Sequence, residues 1–599
     1  MVLPTADATP EPESAHLSRT DGDTWFGHPR QLARLFTTEM WERFGFYGMR
    51  ALLTLYLAQH FMFPDGTTNG LYGAFTSLVY LTPLVGGWVA DRYLGSKSSV
   101  KLGAILMAIG YFILCFGGET AKPYAVIEGT RYEVTVDGKG DAARQYVVDG
   151  ARKLQIKGND DGSISLLGAD GGEVRHVDKA AFESNAERST LFVAIMLLGL
   201  SAVTVGNGFF KPNISTIVGT LYQPGDRRRD AGFTLFYMGI NLGSFLSQFF
   251  CPLLAEHVGW WAGFLLAAIG MLFSWSLIQF DGGRLAGYGE KPVGVKDRTA
   301  IIWILAILAI PVAWLLYNNM LETAAASAAA AKGGGGIIGY LASLPLLGRV
   351  MFGTFFAAVI GIPIWSWRVG NRVEFQMMVA AIVLVVFNVV FWTLFEQAGS
   401  SLTFFADRNT DRDLGFYVMP AGQVQVFNAV WIVMFAPIFS VLWAALARRG
   451  MEPSIPVKFS LALIGAGAGF LLLVFGTRFA GSDFKVGLIW VAGTYLIHSI
   501  AELCISPVGL SMITKLAMVR VVGLMMGLWF LSIATAQYVA GVVAQLASVE
   551  TVGGQVTNLK VSLDTYAAVF WTIGLISAAI GVVLLVLSPV LKRWMHGVR

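Results

Sequence analysis

Cysteine, histidine and charge are scarce in this chain, and each scarcity removes a class of protein. Cys115, Cys251 and Cys504 are the three cysteines of 599 residues. All lie in apolar runs without metal-ligand spacing, so they are read as small buried hydrophobes, not as disulfides or zinc ligands. Of seven histidines only His498 falls in the later apolar segments. No Gly-x-Ser-x-Gly and no His-Glu-x-x-His occurs, so no membrane hydrolase is expected, and no metal or other cofactor. Charged residues make up 14% of the chain, against about a quarter in ordinary soluble domains. The net charge of +4 is spread over many short connections and forms no basic face, which argues against nucleic acid as a partner. Residues 1–34 are polar and lack the apolar core and cleavage site of a signal peptide, so a cytoplasmic tail is expected there.

What is abundant is apolar sequence: 55% of residues are hydrophobic and the mean hydropathy is +0.61. Runs long enough to cross a hydrocarbon core of about 30 Å occur near 36–62, 68–90, 98–118, 189–219, 230–254, 259–280, 299–320, 346–370, 375–405, 420–447, 455–478, 486–515, 520–547 and 564–591. The expected fold is therefore an all-α integral membrane protein of fourteen spans, embedded in a lipid bilayer. An even number puts both ends on one side, and the basic connections say which. Arg92, Lys97 and Lys101, then Arg227, Arg228 and Arg229, then Arg284, Lys291, Lys296 and Arg298 lie on that side. So do Arg368, Arg372, Arg448, Arg449, Lys592, Arg593 and Arg599. By the positive-inside rule these face the cytoplasm, as expected for a multi-pass protein of a bacterial inner membrane.

Two segments interrupt the pattern. Residues 119–188 are polar, with alternation as in Tyr132-Glu-Val-Thr-Val136 and glycine-rich turns, and predict a small β-rich appendage on the outer face. Residues 324–336, a run of alanines followed by glycines, read as a low-complexity linker between spans seven and eight. With that pair set aside, six spans precede and six follow. The organisation expected is a tail (1–34), a six-helix bundle (35–280, carrying the insertion), a loop with two extra helices (281–372), a second bundle (373–592) and a short tail (593–599). Six plus six is the division of a transporter whose halves rock about a site near the bilayer midplane. No feature calls for a shared interface, and a monomer is expected.

The costliest residues point to that site. A charge at a bilayer centre costs roughly 2.5–3.5 kcal/mol on insertion scales and normally faces a protein interior or a water-filled path. Glu39, Arg43, Tyr47 and Arg50 follow at steps of four, four and three and share one helix face, with Glu42 close by. Lys211 and Asn241 add polar groups to the first half. Trp392 and Glu396, four apart, Asn428, Glu502 and Trp529 lie in the second half. Cations thus sit in the first half and carboxylates face them from the second, a match for a zwitterion carrying a carboxylate and an ammonium. Cross-cavity ion pairs could also hold one mouth shut. Each residue has a structural alternative. Glu42 could neutralise its neighbours, Lys211 could snorkel, Asn241 and Asn428 could bridge helices, and Trp392 and Trp529 could pack.

Glu39-x-x-Glu42-Arg43-Phe44 is similar to the E-x-x-E-R-F-x-Y-Y signature of the proton-coupled oligopeptide transporters of the major facilitator superfamily. Phe236-Tyr237-x-x-Ile240-Asn241-x-Gly243-Ser244 looks like that family's second signature. Gly86-Gly87-Trp-x-Ala-Asp91-Arg92-Tyr-x-Gly95 resembles the superfamily's loop between spans two and three. Two extra helices after the sixth span also resemble bacterial members. The chain departs at Phe46, where the signature has its first Tyr, at Phe245 in place of Leu, and at Ala429 in place of Pro; none of these removes an ionisable group. The resemblance implies symport of dipeptides and tripeptides with protons, driven by the proton gradient. It assigns Glu39, Glu42, Arg43 and Glu396 to proton coupling. It assigns Arg43, Tyr47, Arg50, Tyr80, Lys211, Asn241, Trp392, Asn428, Glu502 and Trp529 to the peptide. Arg50 with Glu396, and Lys211 with Glu502, would be gating pairs. The related plant nitrate branch often lacks the first-span glutamates. The competing expectation is a proton-coupled carrier of another organic anion or zwitterion, for which Glu502 would be dispensable if the substrate lacked an amino terminus.

Overall fold

The computed structural model describes residues 24–138, 143–150, 152–223, 226, 228–332, 342–506 and 508–598. A short hairpin of β1 (Thr24–Trp25) and β2 (His28–Pro29) precedes the first helix, within the segment expected as a tail. The first half then comprises α1 (Gln31–Leu55), α2 (Asp65–Val89), α3 (Ser96–Leu114), α4 (Thr190–Thr220), α5 (Arg228–His257) and α6 (Trp260–Gln279). The peripheral pair is α7 (Thr299–Lys332) and α8 (Leu346–Val369). The second half runs through α9 (Arg372–Phe395), α10 (Ser401–Arg408), α11 (Val426–Arg448) and α12 (Ile455–Thr477), then α13 (Leu488–Ile505), α14 (Gly509–Leu516), α15 (Val522–Leu546) and α16 (Leu559–Trp594). Thirteen helical segments of the described residues are long and apolar enough to span a membrane. The fourteenth is α1: at 25 residues it extends about 38 Å at ~1.5 Å per residue, but Glu39, Glu42, Arg43 and Arg50 lower its apolarity.

Close helix approach rests on glycine pairs, as expected where lipid supplies no hydrophobic drive between helices. A Cβ on Gly103 would lie 2.5 Å from the carbonyl oxygen of Gly206, and one on Gly110 2.7 Å from that of Gly199, which seats α3 on α4. The two halves meet the same way: a Cβ on Gly73 of α2 would lie 2.8 Å from the Cα of Gly541 of α15. Gly73→Val is therefore expected to destabilise the protein by about 1–3 kcal/mol through overpacking, read as a lower Tm in detergent. An unchanged Tm would show slack between α2 and α15.

The alanine run expected to be linker is helical as far as Lys332, because alanine has the highest helix propensity and nothing in that stretch breaks the helix. The glycines at 333–336 lie outside the described residues. Tyr317 of α7 hydrogen-bonds Thr204 of α4 at 2.7 Å, and α8 packs on α9 and α15. The extra pair thus packs α7 mainly on the first half, with further contact to α15, and α8 on the second.

Two expected spans are broken. Residues 375–405 divide into α9, a 3-10 turn at Glu396–Gly399, and α10. Residues 486–515 divide into α13 and α14, with Pro507, which lacks a backbone donor and disfavours helix before it, in the sequence between them. Both breaks fall beside a predicted acidic site residue. Gly95 closes the turn between α2 and α3 at φ +75°, where a Cβ would meet the Glu290 backbone at 2.6 Å.

The insertion is a seven-stranded antiparallel sheet: β3 (Lys122–Ile127), β4 (Thr130–Asp137), β5 (Arg144–Asp149), β6 (Arg152–Gly158), β7 (Ile164–Leu167), β8 (Glu173–Val177) and β9 (Phe182–Glu187). The order is β8-β7-β6-β5-β4-β3-β9, a meander whose last strand returns to β3. Its alternate residues Ile127, Val134, Val147, Ile156, Leu166 and Val177 form a core of their own, the period-2 burial that the sequence alternation predicts.

Candidate functional site

On α1 the stripe is buried: Glu39, Glu42, Arg43 and Arg50 are each less than a tenth exposed. Arg43 grips Glu42 through Nε and through Nη2, the latter 2.5 Å from Oε1. It also lies 3.5 Å from Glu39 and 3.4 Å from the side-chain oxygen of Asn207. Asn207 is held in turn by its amide, which donates to the Val79 carbonyl at 2.8 Å. One guanidinium therefore serves two carboxylates, and the second oxygen of Glu39, buried, has no hydrogen-bond partner. A carboxylate oxygen so placed can take up and release a proton without breaking the Arg43–Glu42 fork.

Arg50, two turns along, donates to the Tyr72 hydroxyl at 2.6 Å and pairs with Glu396 across the molecule. The Tyr47 ring lies between the two cations, 5.8 Å from the Arg43 guanidinium and 5.9 Å from that of Arg50. Glu396 opens the 3-10 turn that breaks the ninth span, and Thr54 donates to the Gly399 carbonyl closing that turn. In the second half Asn428 donates to Glu502 at 3.2 Å and to Ser499 at 3.0 Å. Trp392 donates its indole N–H to Asn388 at 3.1 Å, and Trp529 is buried.

Lys211 and Glu502 do not form the pair expected of them. Among the described residues Lys211 has no ion pair; its ammonium sits over the Tyr80 ring at 3.9 Å. Glu502 is engaged by Asn428 instead. Asn241 turns its amide to the Tyr237 carbonyl of its own helix at 3.0 Å. The physical reason is that the halves are joined elsewhere. Their hydrogen bonds cluster at the end carrying the sheet, whereas Lys211 and Asn241 lie toward the end where α1 begins.

That junction holds residues the sequence reading missed. Arg408 donates to Asp65 through both terminal nitrogens, at 2.6 and 2.7 Å, with side-chain exposures of 5% and 1%. Gln59 donates to Asp407 at 3.0 Å, Asn69 to the Ala544 carbonyl at 3.0 Å and Gln545 to the Gly66 carbonyl at 2.9 Å. Asn207 and Asn388 were legible, since each stands four residues before a predicted residue on the same helix. Tyr72, Asp65 and Arg408 carried no such signal.

Two six-helix halves, joined at one end by buried cross-half pairs and carrying a buried ionisable stripe, define a membrane transporter of the two-bundle class. The chain belongs to the POT family: residues 97–559 match the family described as PTR2, POT family. Its members are transporters and not enzymes. The chain is 29% identical over 595 residues to "Dipeptide and tripeptide permease A" of Enterobacter sp. (strain 638), covering 99% of this chain and 97% of the relative. It is 31% identical over 583 residues to "Uncharacterized transporter YclF" of Bacillus subtilis (strain 168), covering 96% of each. The crystal structure of "peptide transporter POT in complex with sulfate" superposes with a TM-score of 0.72 at 26% identity, over 98% of this chain and 100% of that one. The resemblance carried by the Glu39–Phe44 motif is thereby borne out at the level of family and fold.

Proposed function

We propose that the chain takes up dipeptides and tripeptides together with protons by alternating access across a bacterial inner membrane, with both ends of the chain in the cytoplasm. The observation that carries this reading is the opposition of sign between the halves. Arg43, Arg50 and Lys211 stand in the first, Glu396 and Glu502 in the second, and Arg50–Glu396 already spans the two. The named relatives that are dipeptide and tripeptide permeases support the same substrate class.

In this reading residues 35–280 and 373–592 are the moving halves, joined through 281–372, and 1–34 and 593–599 are the cytoplasmic tails. The peptide carboxylate goes to Arg43, Arg50 and Lys211. The amino terminus goes to Asn241, Asn428 and Glu502, and side chains meet Tyr47, Tyr80, Trp392 and Trp529. Glu39, Glu42 and Glu396 carry the proton, with Arg43 as the cation that their protonation releases to the peptide carboxylate. Lys211 and Glu502 pair in the state closed at the cytoplasmic end, the counterpart of Arg50–Glu396. The path lies within one chain, so a monomer suffices.

Purified protein in liposomes is expected to accumulate a labelled dialanine-type dipeptide only under an inward proton gradient, and unlabelled tripeptide is expected to abolish the uptake. Folded protein that ignores the dipeptide under the gradient would turn the substrate question to other zwitterions and organic anions.

A further inference from the structure

The seven-stranded sheet belongs by sequence to the first half, yet it is fastened to the second through β5 and the end of β6. Its two stems are rooted at the end of α1. The Ala121 N–H donates to the His60 carbonyl at 2.9 Å, and Arg188 donates to the Phe61 and Met62 carbonyls at 2.7 and 2.5 Å. On the other side stands the hairpin of β12 (Thr551–Val552) and β13 (Gln555–Val556), which joins α15 to α16; β10 (Thr410–Asp411) and β11 (Val486–Gly487) pair nearby within the second half. The Gly158 N–H donates to the Thr557 carbonyl at 3.1 Å. Asn558 returns a hydrogen bond to the Gly158 carbonyl at 3.1 Å, and Gln145 donates to the Val556 carbonyl at 3.3 Å. Lys560 pairs with Asp160 at 2.5 Å. Val552, 1% exposed, is a member of the sheet's own hydrophobic core.

We propose that the sheet is a strap across the outer mouth, one that must release the 551–558 segment each time the halves part at that end, and so holds the cycle toward the state closed there. The proposal rests on the alternating-access reading above. Three observations carry it. The contacts join elements of different halves, at the same end as Asp65–Arg408. They include one backbone-to-backbone hydrogen bond, two side-chain hydrogen bonds to carbonyls and a buried valine, and exposed ion pairs alone would add little. Beneath the sheet lies a cavity of about 1310 Å³, bordered by Gln59, Glu256, Asp407 and Lys485 of the bundles and by Gln155 and Asn159 of the sheet. The strap therefore crosses the way in. A fold-stabilising appendage would need contacts to its own half only, whereas this one spends a core position on the other.

The geometry offers a direct test. A Cβ on Gly158 would lie 2.8 Å from Oγ1 of Thr557, within the reach of a disulfide. In the variant Gly158→Cys with Thr557→Cys, dipeptide uptake is expected to match wild type when reduced. Oxidation is expected to lower it at least tenfold, with recovery on reduction, while each single-cysteine variant ignores the oxidant. Full uptake by the oxidised protein would overturn the proposal, because the sheet would then ride with the second half. A second measurement needs no substrate. Spin labels on Glu119→Cys and Ser482→Cys, both exposed, report the separation of the halves, and adding Val552→Asp is expected to raise a longer-distance population. An unchanged distribution would overturn the strap whatever is transported. A reduced double variant and wild type that both ignore dipeptide, with the distance shift present, would overturn the substrate reading and leave the strap standing.

Discussion

Glu42→Gln and Glu39→Gln are expected to abolish concentrative peptide uptake while leaving exchange of peptide for peptide in place. Arg43 is shared by both carboxylates, gripping Glu42 and approaching Glu39 at 3.5 Å. On the proposed reading a proton arriving on this pair would free part of the guanidinium's charge for a peptide carboxylate, and a glutamine, which cannot titrate, would remove that linkage. Couplings between two ligands typically amount to roughly 5–150-fold in affinity; with the coupling gone, peptide should only equilibrate across the membrane. Exchange needs no net proton movement and should persist. The check is uptake into liposomes with and without a proton gradient, beside counterflow into peptide-loaded liposomes. If both variants concentrate dipeptide like wild type, Glu39 and Glu42 are structural neutralisers of Arg43.

Arg408→Ala should have the largest effect on stability. It leaves Asp65, also acceptor to the Val549 N–H at 3.1 Å, buried without its cation. Removing one partner of a buried pair costs about 3–5 kcal/mol, more than the pair as a whole contributes. Because the pair joins the first half to the second, the cost falls on the state closed at the sheet end. The expected result is a marked drop in Tm and loss of uptake, with Asp65→Asn restoring much of the Tm in the double variant because no charge is then stranded. Single variants with unchanged Tm and uptake would show that this end is held by other contacts.

The ionisable residues of α1 were legible because burying charge is expensive: a run apolar enough for a membrane that keeps Glu39, Glu42, Arg43 and Arg50 keeps them for a reason, and helical spacing put them on one face. Span positions were legible for the same reason, since bilayer thickness sets length. The junction at Asp65 and Arg408 was not. Asp65 stands in a short connection and Arg408 at the end of a span, where a charge is ordinary in sequence, and only the meeting of the halves turns them into a buried pair. The alanine run was misread because low complexity suggested a linker, while the propensity of its residues makes a helix.

By itself the sequence determined the membrane environment, the six-two-six division, the signatures and the placing of Arg43, Arg50 and Lys211 in the first half and of Glu396 and Glu502 in the second. Those follow from transfer energies and periodicities, which are local. Tertiary structure alone decided which charges meet: Arg50 with Glu396, Asp65 with Arg408, and not Lys211 with Glu502. It also decided that a sheet encoded in the first half fastens to the second. Such pairings join residues hundreds of positions apart, so no local pattern in the sequence records them.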